Sequence, residues 1–164
     1  MTRNCGSRPS KHGEQLLSFV SAGFFLILAG TIFIIASNLF GSILDFLEDI
    51  TLGPVPHMGI SLPVPATPEA HLTLYGGAGT FCLAWGLFQI FMLALRFIIR
   101  SPTGRNAEAL SGAVYWIGSA YLIQILLIET TRWFEYWAAI IMLLGASVIA
   151  RGILLAASKE SRSA

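Results

Sequence analysis

The sequence predicts an all-α membrane protein: a four-helix transmembrane bundle with a proline-rich extracytoplasmic loop between helices 1 and 2, residues 1–164 forming one domain. Three observations lead there. The chain is 55% apolar and only 12% charged, where a typical soluble domain carries roughly 25% charged residues. Its apolar residues fall in four stretches, each long enough to cross a hydrocarbon core of roughly 30 Å. Its basic residues gather in alternate connections. A soluble fold of this length keeps too many residues at its surface to hide so much apolar area.

The first stretch, 16–44, has 29 residues, or about 43 Å of helix at roughly 1.5 Å per residue. It must tilt or project beyond the lipid, and projection is expected near Asp45, Glu48 and Asp49. Arg3, Arg8 and Lys11 before it resemble the opening of a signal peptide. The apolar run is much longer than the roughly 7–15 residues of such a segment, so it reads as an anchor. Asn38 is its one strongly polar interior residue.

The second stretch, 72–99, opens on Tyr75, Gly76, Gly77 and Gly79, small positions that let another backbone approach. Gln89 is its polar exception, and Arg96 and Arg100 close it. Ser101, Pro102, Thr103, Gly104 and Arg105 make a turn-like set. The third stretch, 108–128, carries Tyr121 and Gln124, three residues apart and so on one helical face. Only residues 129–133 separate it from the fourth, 134–156, which predicts an antiparallel helical hairpin. Trp133, Tyr136 and Trp137 sit where amphipathic rings favour the headgroup level. Ala139, Met142, Ala146 and Ala150 recur at helical spacing and are expected to form a close-packing face.

Orientation follows from the cations. Nine of the ten Lys and Arg residues fall in the amino tail, the connection between the second and third helices, and the carboxyl end; Arg132 is the exception. That is a positive-inside pattern, placing both termini in the cytoplasm and the protein in the cell or cytoplasmic membrane. The other side holds Asp45, Glu48, Asp49, Glu69, Glu129 and Glu135 against Arg132, a surplus of five negative charges. It attracts cations or a basic protein surface.

The segment 45–71 is unusual. It contains Pro54, Pro56, Pro63, Pro65 and Pro68, each lacking a donor and restricting its predecessor, so regular helix is not expected across it. Ile50, Leu52, Val55, Met58, Ile60, Leu62 and Val64 nevertheless make it too apolar for a solvated linker. An extended segment lying against the bundle, the membrane surface or a partner follows. Pro54, Pro56, Met58, Pro63 and Pro65 mark it as the expected partner-docking loop.

Chemistry-bearing residues are sparse. His57, His71 and Glu69 come nearest to a metal set, but their spacing fits no compact motif. Paired-histidine haem ligation fails because only His71 could begin a span. Asp45 and Asp49, four apart, repel on a helix, and a calcium ion would relieve that, although solvent does so equally well. Ser61, His57 and Glu69 have residue types for acyl transfer without a framework to align them. Cys5 and Cys82 lie in a tail and a span, which argues against a disulfide.

Asn38, Gln89, Tyr121 and Gln124 are the expected polar contacts within the membrane, and Tyr121 with Gln124 is the pair best suited to a quinone-like ligand. No cofactor is called for by these residues, metal and quinone being the two they could accommodate. No Asp, Glu, Lys or Arg stands at the centre of a span, which disfavours proton pumping and ion-coupled transport. Phosphate loops, nucleophile elbows and paired zinc motifs are missing from the sequence, so enzymatic activity is not expected. Without a polybasic tract, neither is nucleic-acid binding.

The expected function is a scaffold or accessory subunit bound to other integral membrane subunits or to copies of itself within the lipid bilayer. The alternative is a channel or transporter subunit for a neutral or weakly polar solute. A metal- or quinone-associated redox protein comes third.

Overall fold

The computed structural model describes residues 11–36, 38–55, 59–98 and 103–160. Pro56, His57 and Met58 of the proline-rich segment, Cys5 of the amino tail, and Arg100, Ser101 and Pro102 of the turn lie outside them. The chain forms α1 (Lys11–Ile35), α2 (Leu39–Glu48), an antiparallel ribbon of β1 (Ile50–Pro54) and β2 (Ser61–Pro65), and a 3-10 turn (Pro68–His71). It continues as α3 (Leu72–Ile98), α4 (Thr103–Leu122), a π-helical segment (Ile123–Glu129) and α5 (Trp133–Glu160). Four helical stretches are long and apolar enough to cross a membrane: Leu16–Ile35, Pro68–Ile98, Gly104–Glu129 and Trp133–Ala157.

The first apolar stretch is therefore not one helix. It breaks at Asn38, whose φ of 58° and ψ of 35° are left-handed, a conformation that asparagine tolerates better than most residues. The Asn38 amide lies over Gly41, where a Cβ would collide with it. Asn38 is exposed and serves as the corner from which α2 starts. The break turns one face of α2 inward, burying Leu39 beside Gly77 of α3. A straight helix would have carried Leu39 past the bundle.

The core lies between α3, α4 and the π segment, where Tyr75, Cys82, Ile123 and Leu127 form one buried cluster. Small residues set the helix spacing. At Gly86 a Cβ would stand 2.5 Å from Ile117 Cγ1 and 3.0 Å from the Ile117 backbone nitrogen. Gly86 was not among the small positions singled out by the opening Gly76–Gly79 run, because nothing local marks which glycine meets a neighbouring backbone. Gly79 faces Ile123 and Gly118 faces Leu143 of α5.

α5 runs back along α4, as the short turn between them requires. Its Ile140 and Ser147 are buried and Leu143 packs on Gly118, while of the small-residue row Ala139 and Ala150 are half-buried and Met142 and Ala146 are exposed beside the α4 groove. Leu143 fills the space that Gly118 leaves open. α1 is attached more lightly. Phe24 stacks on Phe88 at 4.0 Å and Phe25 meets Phe81 and Trp85 edge-on, while no residue of its apolar span is buried.

The proline-rich segment becomes a ribbon. Ile50 pairs with Pro65, Leu52 with Pro63 and Pro54 with Ser61. Prolines survive in it because a two-stranded sheet has only edges, where a missing N–H faces no neighbour. Val55 N–H donates to the Ile60 carbonyl at 2.8 Å, and Ala66 N–H to the Asp49 carbonyl at 3.0 Å, extending the pairing at both ends.

Candidate functional site

The notable features gather at the ribbon end of the bundle. Asp49 caps α2 immediately before β1, and its Oδ2 closes the ribbon's base. It accepts from the Thr67 N–H at 2.8 Å, from the Thr67 hydroxyl at 3.0 Å and from His71 Nε2 at 3.0 Å. An ionised carboxylate only accepts, so the His71 hydrogen sits on Nε2. His71 is itself buried, with Phe46 and Tyr75 edge-on to its ring at 5.2 and 6.5 Å. The three elements brought together are α2, the 3-10 turn and the start of α3.

This junction reassigns the expected metal residues. His71 engages Asp49 rather than Glu69, which is exposed, and His57 lies outside the described residues. Among the described residues no group of three or more His, Cys, Asp and Glu side chains is gathered as a metal would require. Of the Asp45–Asp49 pair, Asp49 has its Oδ2 engaged by Thr67 and His71. Ser61 sits in β2 opposite Pro54.

The Thr67 N–H, and after it the His71 side chain, hold the Asp49 carboxyl below its ordinary 3.8. The ionised form is therefore the one that folding favours. In the unfolded chain Asp49 takes up its proton near the ordinary value; in the folded chain it does so lower. Its stabilising contribution is complete above 3.8 and lost as pH falls through the folded value. Thermal unfolding in detergent between about pH 6 and pH 2 should show this acid loss. Asp49→Asn should weaken the protein at neutral pH and flatten that part of the profile; an unchanged profile would contradict the role.

Beside this junction lies a cleft of about 670 Å³ between the ribbon and the start of α5. Phe46, Leu62 and Val64 face Trp133, Trp137 and Ile141 across it. The Trp133 indole N–H donates to the Pro63 carbonyl at 3.1 Å, tying β2 to α5 across 70 residues of sequence. Of the predicted docking prolines, Pro54 and Pro63 are exposed and Pro65 is buried.

Gln89 and Gln124, expected within the membrane, do not meet. Gln89 lies against Gly112 of α4. Gln124 lines a separate groove of about 430 Å³ with Tyr121, Gly76, Gly79 and Thr80. The Gln124 amide donates to Glu129 at 3.3 Å instead of joining Tyr121. The reason is the π segment, whose wider turn stacks positions five apart. The Thr130 hydroxyl caps the same segment on the Ile125 carbonyl at 2.9 Å, and Thr131 completes the reversal with φ of 50°.

Charges separate along the bundle. Arg96 donates to the Arg105 carbonyl at 2.7 Å and Arg151 pairs with Glu108 at 3.3 Å, both at the end away from the ribbon. The ribbon end carries Asp45, Glu48, Glu69, Glu129 and Glu135 with Arg132, which pairs with Glu135 at 3.0 Å.

Four apolar helices of spanning length are the make-up of a multi-pass helical membrane protein. No family model matches the chain, and neither a curated protein nor a solved structure matches it.

Proposed function

We propose that the protein is a non-catalytic accessory subunit of a membrane assembly, and that it engages its partner with the ribbon end. The partner is a membrane protein with a basic surface on that side. One observation carries this reading: part of the ribbon stays bare. A lid serving only its own helices would bury its apolar residues, whereas Leu52 is 75% exposed beside exposed Pro54, in a segment outside all four candidate spans. Apolar area in that position is characteristic of an interaction surface.

Charge selects the partner's chemistry. Asp45 and Glu48 adjoin the ribbon through α2, and Glu129 and Glu135 flank the α5 turn, so a basic surface is attracted and an acidic one repelled. The opposite, arginine-bearing end belongs in the cytoplasm by the positive-inside rule, with both termini beside it in the cell membrane. The scattered amides support association over transport. Gln89 packs against α4 and does not line the groove holding Gln124, so these residues do not mark one polar route through the chain.

A photoreactive residue at position 52, activated in native membranes, tests the proposal. The expected result is one discrete heteromeric product whose partner peptide is basic. Changing both Asp45 and Glu48 to Lys should reduce its yield by about tenfold, equivalent to about 1.4 kcal/mol, and raising salt to about 1 M should reduce it similarly. A chain that stays monomeric, or a product indifferent to both changes, would overturn it.

A further inference from the structure

We infer that the cleft between the ribbon and α5 is a lipid site, holding one hydrocarbon chain of a neutral or zwitterionic bilayer lipid. Position is the first argument. One wall belongs to a candidate span, which begins at Trp133, while the ribbon wall belongs to none of the four. From Trp133 to Ile141 the cleft descends about 12 Å along α5, at roughly 1.5 Å per residue. Ile141 is 67% exposed and Trp137 50%, so the lower mouth opens sideways on a bare part of that span. In a bilayer the medium at that mouth is hydrocarbon. A chain entering from there stays in apolar surroundings as it passes under the ribbon.

The lining is the second argument. Its side chains are aliphatic or aromatic throughout. Trp133 has its indole N–H on the Pro63 carbonyl, leaving the Trp137 indole as the remaining side-chain donor of the lining. A sugar, phosphate or carboxylate drawn inside would give up its water for one hydrogen bond, a poor exchange for a polar group. A hydrocarbon chain gives up nothing comparable, and a volume of about 670 Å³ is of ligand-pocket size. The Trp137 N–H suits the ester or ether oxygen where such a chain meets its headgroup.

Charge is the third. Asp45 and Glu48 flank Phe46 in α2, and Glu135 flanks the Trp133–Phe134 wall, its partner Arg132 being the ribbon end's described cation. Acidic residues on the elements that line the cleft repel an anionic headgroup and accept a neutral one or one carrying an outward cation. The site is distinct from Leu52 and Pro54, which do not line the cleft, and touches the docking loop at Pro63, which does.

The test uses the full chain in nanodiscs containing phosphatidylcholine with a diazirine on one acyl chain, followed by peptide mapping after illumination. Adducts are expected on both walls, at Trp137 or Ile141 and at Leu62 or Val64. The corresponding phosphatidylglycerol probe should label the ribbon about fivefold less, a factor near 1 kcal/mol. Ala138→Trp, filling the cleft, should remove ribbon adducts while exposed Phe91 of α3 labels as before; Ile141→Trp, blocking the lower mouth, gives the same readout should the first variant misfold. Labelling confined to α5, or ribbon labelling that survives both variants, would overturn the site. So would a polypeptide crosslinked within the cleft, which would identify a protein occupant instead.

Discussion

Replacing Trp133 with alanine is expected to release the ribbon from the bundle, with a loss of about 3 kcal/mol, the low end for removal of a large aromatic side chain because Trp133 is only half-buried. Two attachments go at once. The indole N–H no longer reaches the Pro63 carbonyl, held at 3.1 Å, and the ring contacts to Phe46 at 5.8 Å and Trp137 at 5.9 Å disappear. A two-stranded ribbon is marginal by itself in water, so β1 and β2 depend on this docking and on the Asp49 junction at their base. Hydrogen exchange of residues 50–54 and 61–65 should accelerate, while α3, α4 and α5 keep their protection. Trp133→Phe separates the contributions: it retains a ring and removes the hydrogen bond, for about 1 kcal/mol. Unaltered ribbon protection in the alanine variant would show that α5 does not hold it.

Gly86→Leu is expected to be the most damaging single change within the spans. Even the first added carbon would stand 2.5 Å from Ile117 Cγ1, 3.0 Å from the Ile117 nitrogen and 3.3 Å from Trp116 Cβ. A side chain could yield, but the Ile117 backbone is set by α4 itself, so the two helices must separate. Overpacking of this kind costs about 1–3 kcal/mol for modest insertions, and leucine adds three further carbons, placing the expected loss above about 3 kcal/mol. The price is steep because helices in lipid associate through close contact, with no hydrophobic force to replace it. Gly145→Leu is the control: nothing lies within 4 Å of its added carbon, and its effect should stay within about 0.5 kcal/mol. Unfolding of both variants in the same detergent checks the difference; equal losses would remove Gly86 from the α3–α4 contact.

Much of the fold was legible because its strongest signals are local. Apolar length marks a span whatever surrounds it, and the second, third and fourth stretches appear as helices close to their expected positions. The first did not, because the periodicity of 16–44 contains no strong stop. Asn38 is the sole local hint, and the corner forms only because Gly41 leaves room for its amide and α3 receives Leu39. In the proline-rich segment, the expected extended backbone appears at Ile50–Pro54 and Ser61–Pro65. Its pairing with Ile50–Pro54 was hidden, since prolines ordinarily argue against a sheet and the register depends on both strands meeting.

The site was less legible than the fold. Asp49 and His71 stand 22 residues apart and join through three elements, so spacing could not pair them. His71 was noticed for its ligand chemistry, whereas the structure gives it a carboxylate partner and two aromatic neighbours. Tyr121 and Gln124 do line one groove, but the π turn beginning at Ile123 sends the amide to Glu129.

By itself the sequence determined the number of helices long and apolar enough to span a membrane, the antiparallel return after Glu129 and the contrast between an acidic end and an arginine-bearing end, all written in residues near one another along the chain. Tertiary structure alone decided the corner at Asn38, the Asp49–His71 junction, the glycine at which α3 meets α4 and the apolar cleft beneath the ribbon. The physical reason is range. Hydropathy and charge act on each segment separately, while hydrogen bonds and packing exist only after distant segments come within a few ångströms of each other.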